Sequence, residues 1–154
     1  AQILGPGAVD KLADIAVTAI SLGASVDQLA TLDFAYAPPF STAIHPFAHA
    51  VDVLLNKLDG AMDSMTPAEY AQGGADGYEI VDCALQPSLE GRRYLDLTRI
   101  SGPVEGFGRD DRLLLVCTKG KRAYLTQNRL KYYGYANTRV LEGGASFTEI
   151  GDGE

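Results

Sequence analysis

The sequence predicts an α/β protein in which a parallel sheet with helices on both faces follows a separate helical segment. In residues 71–154, short strand-like runs alternate with helical patterns, which is typical of a parallel sheet covered on both sides. Residues 1–70 are patterned mainly as helices and loops. Charge separates the same parts: eight acidic and two basic side chains give residues 1–70 a net charge of −6, whereas twelve acidic and eleven basic ones leave residues 71–154 at −1. Two modules with different surfaces are therefore expected.

Start and stop signals delimit four helices in the first half of the chain. The segment "VDKLADIAVTAISLG" is apolar on most faces, ends at Gly23 and is expected to be covered on most faces. Ser25 and Thr66 each stand three residues before a Gln or Glu, as in a capping box, and Pro46 suits the first position of a helix that ends before Gly60. The predicted helices are 9–22, 25–32, 46–58 and 67–72.

Strand candidates and one longer helix follow. The strand runs are "YEIVDC" (78–83), the weaker "RYLDL" (93–97), "RLLLVC" (112–117) and "NTRVL" (137–141), with a helix at 122–133 that ends at Gly134. Chemistry in parallel sheets lies beyond the carboxyl ends of the strands, and Cys83 and Cys117 both stand at such ends. Residues 148–154 are expected to form a disordered tail.

Composition argues against several classes of function. The net charge of −7 disfavours broad affinity for nucleic acid or for an anionic membrane. No apolar stretch is long enough to span a bilayer. Two cysteines are too few for a disulfide framework, so a cytoplasmic protein is expected. His45 and His49 are four residues apart, but His45 precedes Pro46 and no third ligand is apparent, so no metal site is predicted.

The stretch "LLLVCTKGKRAYL" (113–125) places a thiol at the end of a buried strand and surrounds it with cations. The next helix opens about five residues after Cys117, so backbone N–H groups without helical partners lie near the sulfur. Lys119, Lys121 and Arg122 also favour an anion there, and Gly120 lets the loop curl so that its amides converge. The pattern predicts a cradle for a thiolate or for an anion above it. The alternative is that Cys117 is a small buried apolar side chain.

These segments together resemble the rhodanese family of sulfurtransferases. "VDC" ends one strand, "LLLVCTKGKRA" runs from strand through loop to helix, and "LKYYGYANTRVLEGG" closes the unit, so the resemblance covers roughly residues 65–147. It implies a rhodanese-like fold, catalytic roles for Cys117 and Arg122, and persulfide chemistry between a sulfane-sulfur donor and a thiol acceptor. The substrate-binding residues that it implies are Thr118, Lys119, Gly120, Lys121 and Asp82.

The spacing of the loop separates two kinds of cysteine chemistry. Cys117 and Arg122 form C-x4-R, whereas the similar loop of cysteine phosphatases is C-x5-R, with room for a phosphate group. A loop that is shorter by one residue suits a terminal sulfur on the cysteine better. The spacing therefore favours persulfide chemistry, with the persulfide held by loop amides.

The chain also departs from the family pattern. Ala84 stands where members usually carry Arg, Ala123 replaces a common Ser, a "GHIPGA" segment is absent, and 99–111 is short for the usual helix. These departures keep open a rival of a different class, a non-catalytic dimerisation and docking module with a degenerate rhodanese fold. Cys83 is likewise either a resolving thiol or a packed small side chain. Asp82 is expected to accept hydrogen bonds from the Cys117 loop.

Residues 1–58 carry a second resemblance. The segment "AQILGPGAVDKLADIAVTAISLGASVDQLATLDFAYAPPFSTAIHP", above all "LDFAYAPPFS", is similar to the end of the C-terminal dimerisation domain of pyridine nucleotide-disulfide oxidoreductases. The nearest subgroup is the coenzyme A-disulfide or persulfide reductases with a fused rhodanese domain. The resemblance implies a homodimer held by residues 1–58 and a parent enzyme that uses FAD, NAD(P)H and coenzyme A. Tyr36 either reaches the partner subunit's flavin-side cysteine site, as in that family, or packs against Pro38 and Pro39.

The expected organisation combines both resemblances. A partial dimerisation segment occupies 1–60, a rhodanese-like domain 65–147 and a tail 148–154. The chain contains neither a GxGxxG fingerprint nor a flavin-side cysteine motif, so it is expected to bind neither FAD nor NAD by itself. It is expected to be a fragment, a truncated form or a degenerate relative of a longer reductase. The expected function is sulfurtransferase-type persulfide chemistry on Cys117 as part of that reductase.

Overall fold

The computed structural model describes residues 2–151 and divides into two compact units, Ala1–Asp59 and Gly60–Glu154. The helices of the first unit are α1 (Val9–Ser21), α2 (Val26–Ala30) and α3 (Pro46–Leu58). The strands of the second unit are β1 (Ser64–Met65), β2 (Glu79–Asp82), β3 (Arg93–Tyr94), β4 (Leu113–Val116) and β5 (Thr138–Leu141). Its helices are α4 (Pro67–Ala71), α5 (Lys121–Tyr132) and the 3₁₀ helices Leu97–Arg99 and Gly144–Ser146.

Side-chain caps fix the short helices where the sequence predicted them. At the start of α2, Ser25 Oγ accepts from the Gln28 N–H at 3.2 Å, while Gln28 Oε1 accepts from the Ser25 N–H at 2.8 Å. Thr66 and Glu69 form the same reciprocal pair before α4. Each capping box satisfies two backbone donors that lack helical partners. Both helices end a little earlier than predicted, at Ala30 and Ala71.

The helix α3 has the predicted bounds, 46–58, and explains the position of one histidine. His45 is its N-terminal cap, with Nδ1 accepting from the Phe47 N–H at 3.3 Å. The imidazole also stacks on Phe34 at 4.3 Å between ring centroids. Within residues 2–151, no group of three His, Cys, Asp or Glu side chains is arranged to hold a metal ion.

The helix α1 exposes much of its apolar surface. Ala16 is its buried residue, whereas Val17, Ile20 and the following Leu22 are 62%, 66% and 79% exposed. The sequence predicted a helix covered on most faces, and the described residues do not provide that cover. No helix among residues 2–151 combines the length and apolarity that a membrane crossing requires.

All five strands run parallel in the order β1-β5-β4-β2-β3. The predicted strands at 78–83, 112–117 and 137–141 are confirmed as β2, β4 and β5. The weak candidate at 93–97 shortens to β3 because the chain turns into a 3₁₀ helix at Leu97. The edge strand β1 was not predicted, since two residues are too few to show alternation. It exists because Ser64 and Met65 pair with Val140 and Leu141 of β5.

Apolar side chains cover both faces of the sheet, as the α/β prediction requires. The first face packs under α5 around Val81, Leu113, Leu115, Val140 and Leu130. The second packs around Met65, Ile80, Leu114, Val116 and Leu141, with Tyr70 of α4 against it. The adjacent interior strands β2 and β4 are almost fully buried. Their carboxyl ends therefore emerge side by side from a rigid core.

Two segments outside the helices and strands complete the unit. Residues 100–112 contain no helix, as the short 99–111 stretch predicted. The prediction of a disordered tail is wrong for residues 148–151, because Ile150 packs against the second face and the Gly151 carbonyl accepts from Arg92 at 2.7 Å. The remainder of the predicted tail, 152–154, lies outside the described residues.

Candidate active site at the carboxyl edge of the sheet

Cys117 follows β4 directly and lies at the N-terminus of α5. Its side chain is almost buried, with 3% of the residue exposed. The sulfur accepts from the Gly120 N–H at 3.2 Å and from the Ala123 N–H at 3.4 Å. Both donors belong to the cap and first turn of a helix, where N–H groups lack helical partners and favour negative charge. The geometry suits a thiolate or a sulfur-bearing anion at this point.

Gly120 makes the tight turn from strand to helix possible. Its φ is +91°, in the left-handed region that L side chains rarely adopt, and it is the N-terminal cap of α5. The turn brings the N–H groups of Gly120 and Ala123 back toward the sulfur of Cys117. The sequence-based prediction of converging amides therefore agrees with the geometry of the loop.

The cations of the loop are arranged differently from the prediction. Thr118, Lys119 and Lys121 are exposed around the loop. The Arg122 guanidinium donates from Nε to the Cys83 carbonyl at 3.2 Å, and its Nη2 lies 3.5 Å from Asp96 Oδ1. Arg122 thus flanks the site and is paired with a carboxylate, instead of pointing at the thiol.

Sequence reasoning missed Asp96. It caps the 3₁₀ helix after β3, with Oδ1 accepting from the Thr98 N–H at 2.9 Å. That hydrogen bond, with a smaller contribution from the nearby Arg122, lowers the pKa of Asp96 below its ordinary value. The signal that sequence reasoning overlooked is an acidic residue just after a strand, at the edge where Cys117 lies.

The "LEGG" motif forms the support beneath the cysteine loop. The N–H groups of Ala145 and Ser146 donate to the carbonyls of Cys117 and Thr118, each at 3.0 Å. Gly144 has a φ of +59°, and a Cβ built on it would lie 1.9 Å from the Cys117 carbonyl oxygen. The contact is possible only for glycine. The family resemblance identified this motif but not its role, which is to support the loop that carries Cys117.

Asp82 does not serve the Cys117 loop, which corrects the sequence-based expectation. Its Oδ1 accepts from the Ala84 N–H at 2.8 Å, and its Oδ2 accepts from the N–H groups of Ser88 and Leu89, the latter at 2.9 Å. Strand alternation explains the difference, because Cys83 points toward α5 and its neighbour Asp82 must point to the other face. Asp82 is buried and binds its own loop, so its predicted contact with substrate has no support in the geometry.

Cys83 lies beside Cys117 in the same buried cluster. It is fully buried, and its thiol donates to the Val81 carbonyl at 3.7 Å. Burial, with a smaller contribution from the neighbouring Cys117, raises the pKa of the Cys83 thiol to about 12. At neutral pH Cys83 is therefore a protonated thiol.

The fold and the site define a class of protein: a small parallel α/β domain that presents a cysteine on a short loop at a helix N-terminus. A family model described as the rhodanese-like domain matches residues 48–146. The chain belongs to the rhodanese-like domain family, and sulfur-related chemistry accompanies this family membership.

Two solved structures are similar to nearly the whole chain. The NAD-dependent persulfide reductase from A. fulgidus is 32% identical with a TM-score of 0.77, and the match covers 93% of this chain and 26% of that one. The reduced CoADR-RHD from Bacillus anthracis is 26% identical with a TM-score of 0.78, covering 90% of this chain and 26% of that one. The chain thus spans about a quarter of the length of either relative. No curated protein sequence matches it.

Proposed function

We propose that the α/β unit carries sulfane sulfur as a persulfide on Cys117. The observation that supports this role is the sulfur's position: it accepts two backbone N–H groups at the start of a twelve-residue helix. These donors are fixed by the fold and need no rearrangement when charge develops on sulfur. The rhodanese-like family and its link to sulfur chemistry support the same assignment.

The reaction divides into two transfers. In the first, the Cys117 thiolate attacks the outer sulfur of a donor such as thiosulfate; the new S–S bond forms as the donor's bond breaks, and sulfite leaves. In the second, an acceptor thiolate or cyanide attacks the terminal sulfur, and Cys117 departs as a thiolate. The amides of Gly120 and Ala123 stabilise the charge at Sγ at the beginning and the end of the cycle.

The cations around the loop are proposed to bring the donor to the site. Lys119 and Lys121 are exposed, so they attract an anionic donor through solvent without binding it in one fixed geometry. Arg122 is held by the Cys83 carbonyl and by Asp96, and it contributes positive potential from the flank. Thr118 and Gly120 complete the rim of the loop.

We further propose that the unit works within a longer reductase. Both relatives are about four times longer, and the name of one is an NAD-dependent persulfide reductase. In this proposal FAD, NAD(P)H and coenzyme A belong to the longer enzyme, and residues 1–58 join two subunits. The exposed apolar side chains of α1 support such burial against a partner. A full-length chain that sediments as a monomer at high concentration would contradict the dimer.

The decisive experiment follows sulfur transfer from thiosulfate, or from a low-molecular-weight persulfide, to cyanide or coenzyme A. We expect Cys117→Ser to abolish transfer and the matched variant Cys83→Val to retain it, since both replace one buried thiol beside α5. Transfer that persists in Cys117→Ser would assign the activity to another site. Absence of transfer in the unsubstituted protein with every donor would favour the rival function, a non-catalytic dimerisation and docking module.

A further inference from the structure

The register of the sheet places the two thiols next to each other. Asp82 of β2 pairs with Val116 of β4, and the Cys83 N–H donates to the Val116 carbonyl at 2.6 Å. The next residue on each strand is a cysteine. Neighbouring strands lie about 4.8 Å apart, a separation within the roughly 4.4–6.8 Å between Cα atoms that a disulfide spans.

Both thiols also face the same side. Val81 and Leu115, two residues earlier on each strand, belong with Cys83 and Cys117 to the single cluster under α5. Because side chains alternate along a strand, the two cysteines share that face. Both are reduced and buried. The Cys83 thiol donates to the Val81 carbonyl at 3.7 Å, and it leaves that contact when its sulfur turns to the neighbouring cysteine.

We propose that Cys83 is a resolving thiol that attacks the persulfide on Cys117, releases the carried sulfur as hydrosulfide and leaves a Cys83–Cys117 disulfide. This inference rests on the proposed persulfide function of Cys117. It adds a second outcome for the carried sulfur, in which sulfur leaves in reduced form without an external acceptor.

The reaction balances without an added oxidant. The Cys83 sulfur forms a bond to Sγ of Cys117 while the bond from that Sγ to the terminal sulfur breaks. The terminal sulfur is reduced from the sulfane to the sulfide level, and the Cys83 thiol is oxidised to the disulfide level. The proton of Cys83 goes to the leaving sulfur, so a thiol and a persulfide anion become a disulfide and a hydrosulfide anion. A dithiol reductant then returns both cysteines to thiols.

The surroundings of Cys83 suit a thiol that reacts only with its neighbour. Burial and the charge of Cys117 keep it protonated, so it does not compete for the donor or react with external electrophiles. Holding the two sulfurs on adjacent strands gives their encounter a high effective concentration, which offsets the small thiolate fraction. Arg122 connects the two strand ends through the Cys83 carbonyl and fixes their spacing.

The test uses the full chain, fully reduced and desalted, then treated with glutathione persulfide and alkylated before intact-mass analysis. We expect the unsubstituted protein to lose two hydrogen atoms and to carry a peptide that joins Cys83 and Cys117. We expect Cys83→Val to gain one sulfur atom on Cys117 and to keep it. Valine is close in size to cysteine and suits a buried strand end, and Cys83→Ser repeats the test with a smaller change in shape.

The possible outcomes separate the two proposals. Disulfide in the unsubstituted protein together with stable persulfide in Cys83→Val supports the resolving thiol. A persulfide that is equally stable in both proteins overturns the resolving thiol and leaves the persulfide function standing. If neither a persulfide nor a Cys83–Cys117 disulfide forms in the unsubstituted protein, and no persulfide forms in Cys83→Val, both proposals are overturned. A disulfide of Cys83 that also forms in Cys117→Ser, either between two chains or with glutathione, assigns the oxidation to Cys83 alone and overturns the inference.

Discussion

Two loops leave adjacent strands at the same edge of the sheet and use their backbone amides on different acceptors. The loop after β4 directs two N–H groups at the sulfur of Cys117. The loop after β2 directs three N–H groups at the carboxylate of Asp82. The sulfur of Cys117 lies at the N-terminus of α5 beside cations, whereas the carboxylate of Asp82 is enclosed by its own loop. We name these the sulfur loop (117–122) and the carboxylate loop (83–89).

The difference shows what turns a strand end into a reactive site. Both loops satisfy an anionic group with amides, so amides alone do not distinguish them. The carboxylate of Asp82 is saturated with donors, and its role is to shape the turn. The sulfur of Cys117 is polarisable and nucleophilic, and it accepts two backbone hydrogen bonds, which leaves it free to form a bond. The five predictions below test this contrast, beginning with the largest expected effect.

Gly144→Ala should damage the sulfur loop and leave the carboxylate loop intact. The added Cβ meets the Cys117 carbonyl at 1.9 Å, and the backbone is in the left-handed region, so the support under the loop must move. We expect a loss of about 3 kcal/mol or more in the free energy of unfolding, together with loss of sulfur uptake. Gly102→Ala is the matched control, because a Cβ there meets nothing within 4 Å. Urea denaturation of both variants provides the measurement, and equal stabilities would contradict the proposed support.

The two thiols should differ strongly in alkylation. With a pKa of about 12, roughly one Cys83 in 10⁴ is a thiolate at pH 8. We expect iodoacetamide to modify Cys117 at least about 100-fold faster than Cys83. The single-thiol variants Cys83→Val and Cys117→Ser allow each rate to be measured alone by mass spectrometry. Equal and slow labelling of both would make Cys117 a packed side chain like its neighbour.

Asp82→Asn should destabilise the unit without abolishing sulfur transfer. In Asp82→Asn, the side-chain N–H donors would face backbone N–H groups that now donate to the carboxylate. We expect this mismatch to lower the free energy of unfolding by about 2 kcal/mol. The exposed Asp110→Asn, which removes the same charge, is the control. Chemical denaturation and the transfer assay are run on the same samples. A complete loss of transfer with unchanged stability would restore the substrate-binding role that the sequence suggested for Asp82.

Local signals in the sequence predicted much of the fold. The capping boxes at Ser25 and Thr66 depend on residues three positions apart, so they are legible in one sequence. The runs that became β2 and β4 are buried on both faces and read as continuous apolar segments. The strand β1 had no such signal, because its two residues become a strand only through pairing with β5, far along the chain.

The candidate site, like the fold, was predictable where the residues concerned are close together in the sequence. The cradle of Cys117 and Gly120 was predicted because strand end, glycine and helix start are contiguous. The partners of Arg122 were not, since Asp96 approaches from another strand and the distance between them is a property of the folded sheet. The error on Asp82 was avoidable: if the cysteine after it faces α5, strand alternation places the carboxylate on the opposite face.

Alkaline pH should reveal the burial of Cys83 as a change in stability. Below its ordinary pKa of 9.0 the thiol is protonated in both folded and unfolded chains, so its contribution is complete. Between that value and the folded pKa of about 12 only the unfolded chain releases the proton, which favours unfolding. The free energy of unfolding should fall by about 1.4 kcal/mol per pH unit in this window. In Cys83→Val the free energy of unfolding should fall less steeply with pH, because the thiol is absent. If the unsubstituted protein and Cys83→Val show identical slopes, Cys83 is accessible to solvent.

Arg122→Ala tests the smallest effect, the influence of a flanking cation on the sulfur loop. The guanidinium lies against the Cys83 carbonyl and Asp96, so its removal leaves both amide bonds to the sulfur in place. Because it acts by potential and not by contact, we expect about a tenfold loss in sulfur transfer from thiosulfate, less than the loss of a direct oxyanion donor would cause. Arg122→Lys should recover part of the rate, since a cation returns without the two-point geometry.

The loss caused by Arg122→Ala should also diminish as salt rises, because the guanidinium is partly accessible to solvent and salt screens its potential. The control is Arg109→Ala, which removes one exposed positive charge of the same unit. Steady-state rates at two ionic strengths, with the urea midpoint of each variant, provide the measurement. An abolished activity that salt does not alter would mean that Arg122 leaves Asp96 and binds the reacting sulfur, and the guanidinium would then belong among the catalytic groups with Cys117.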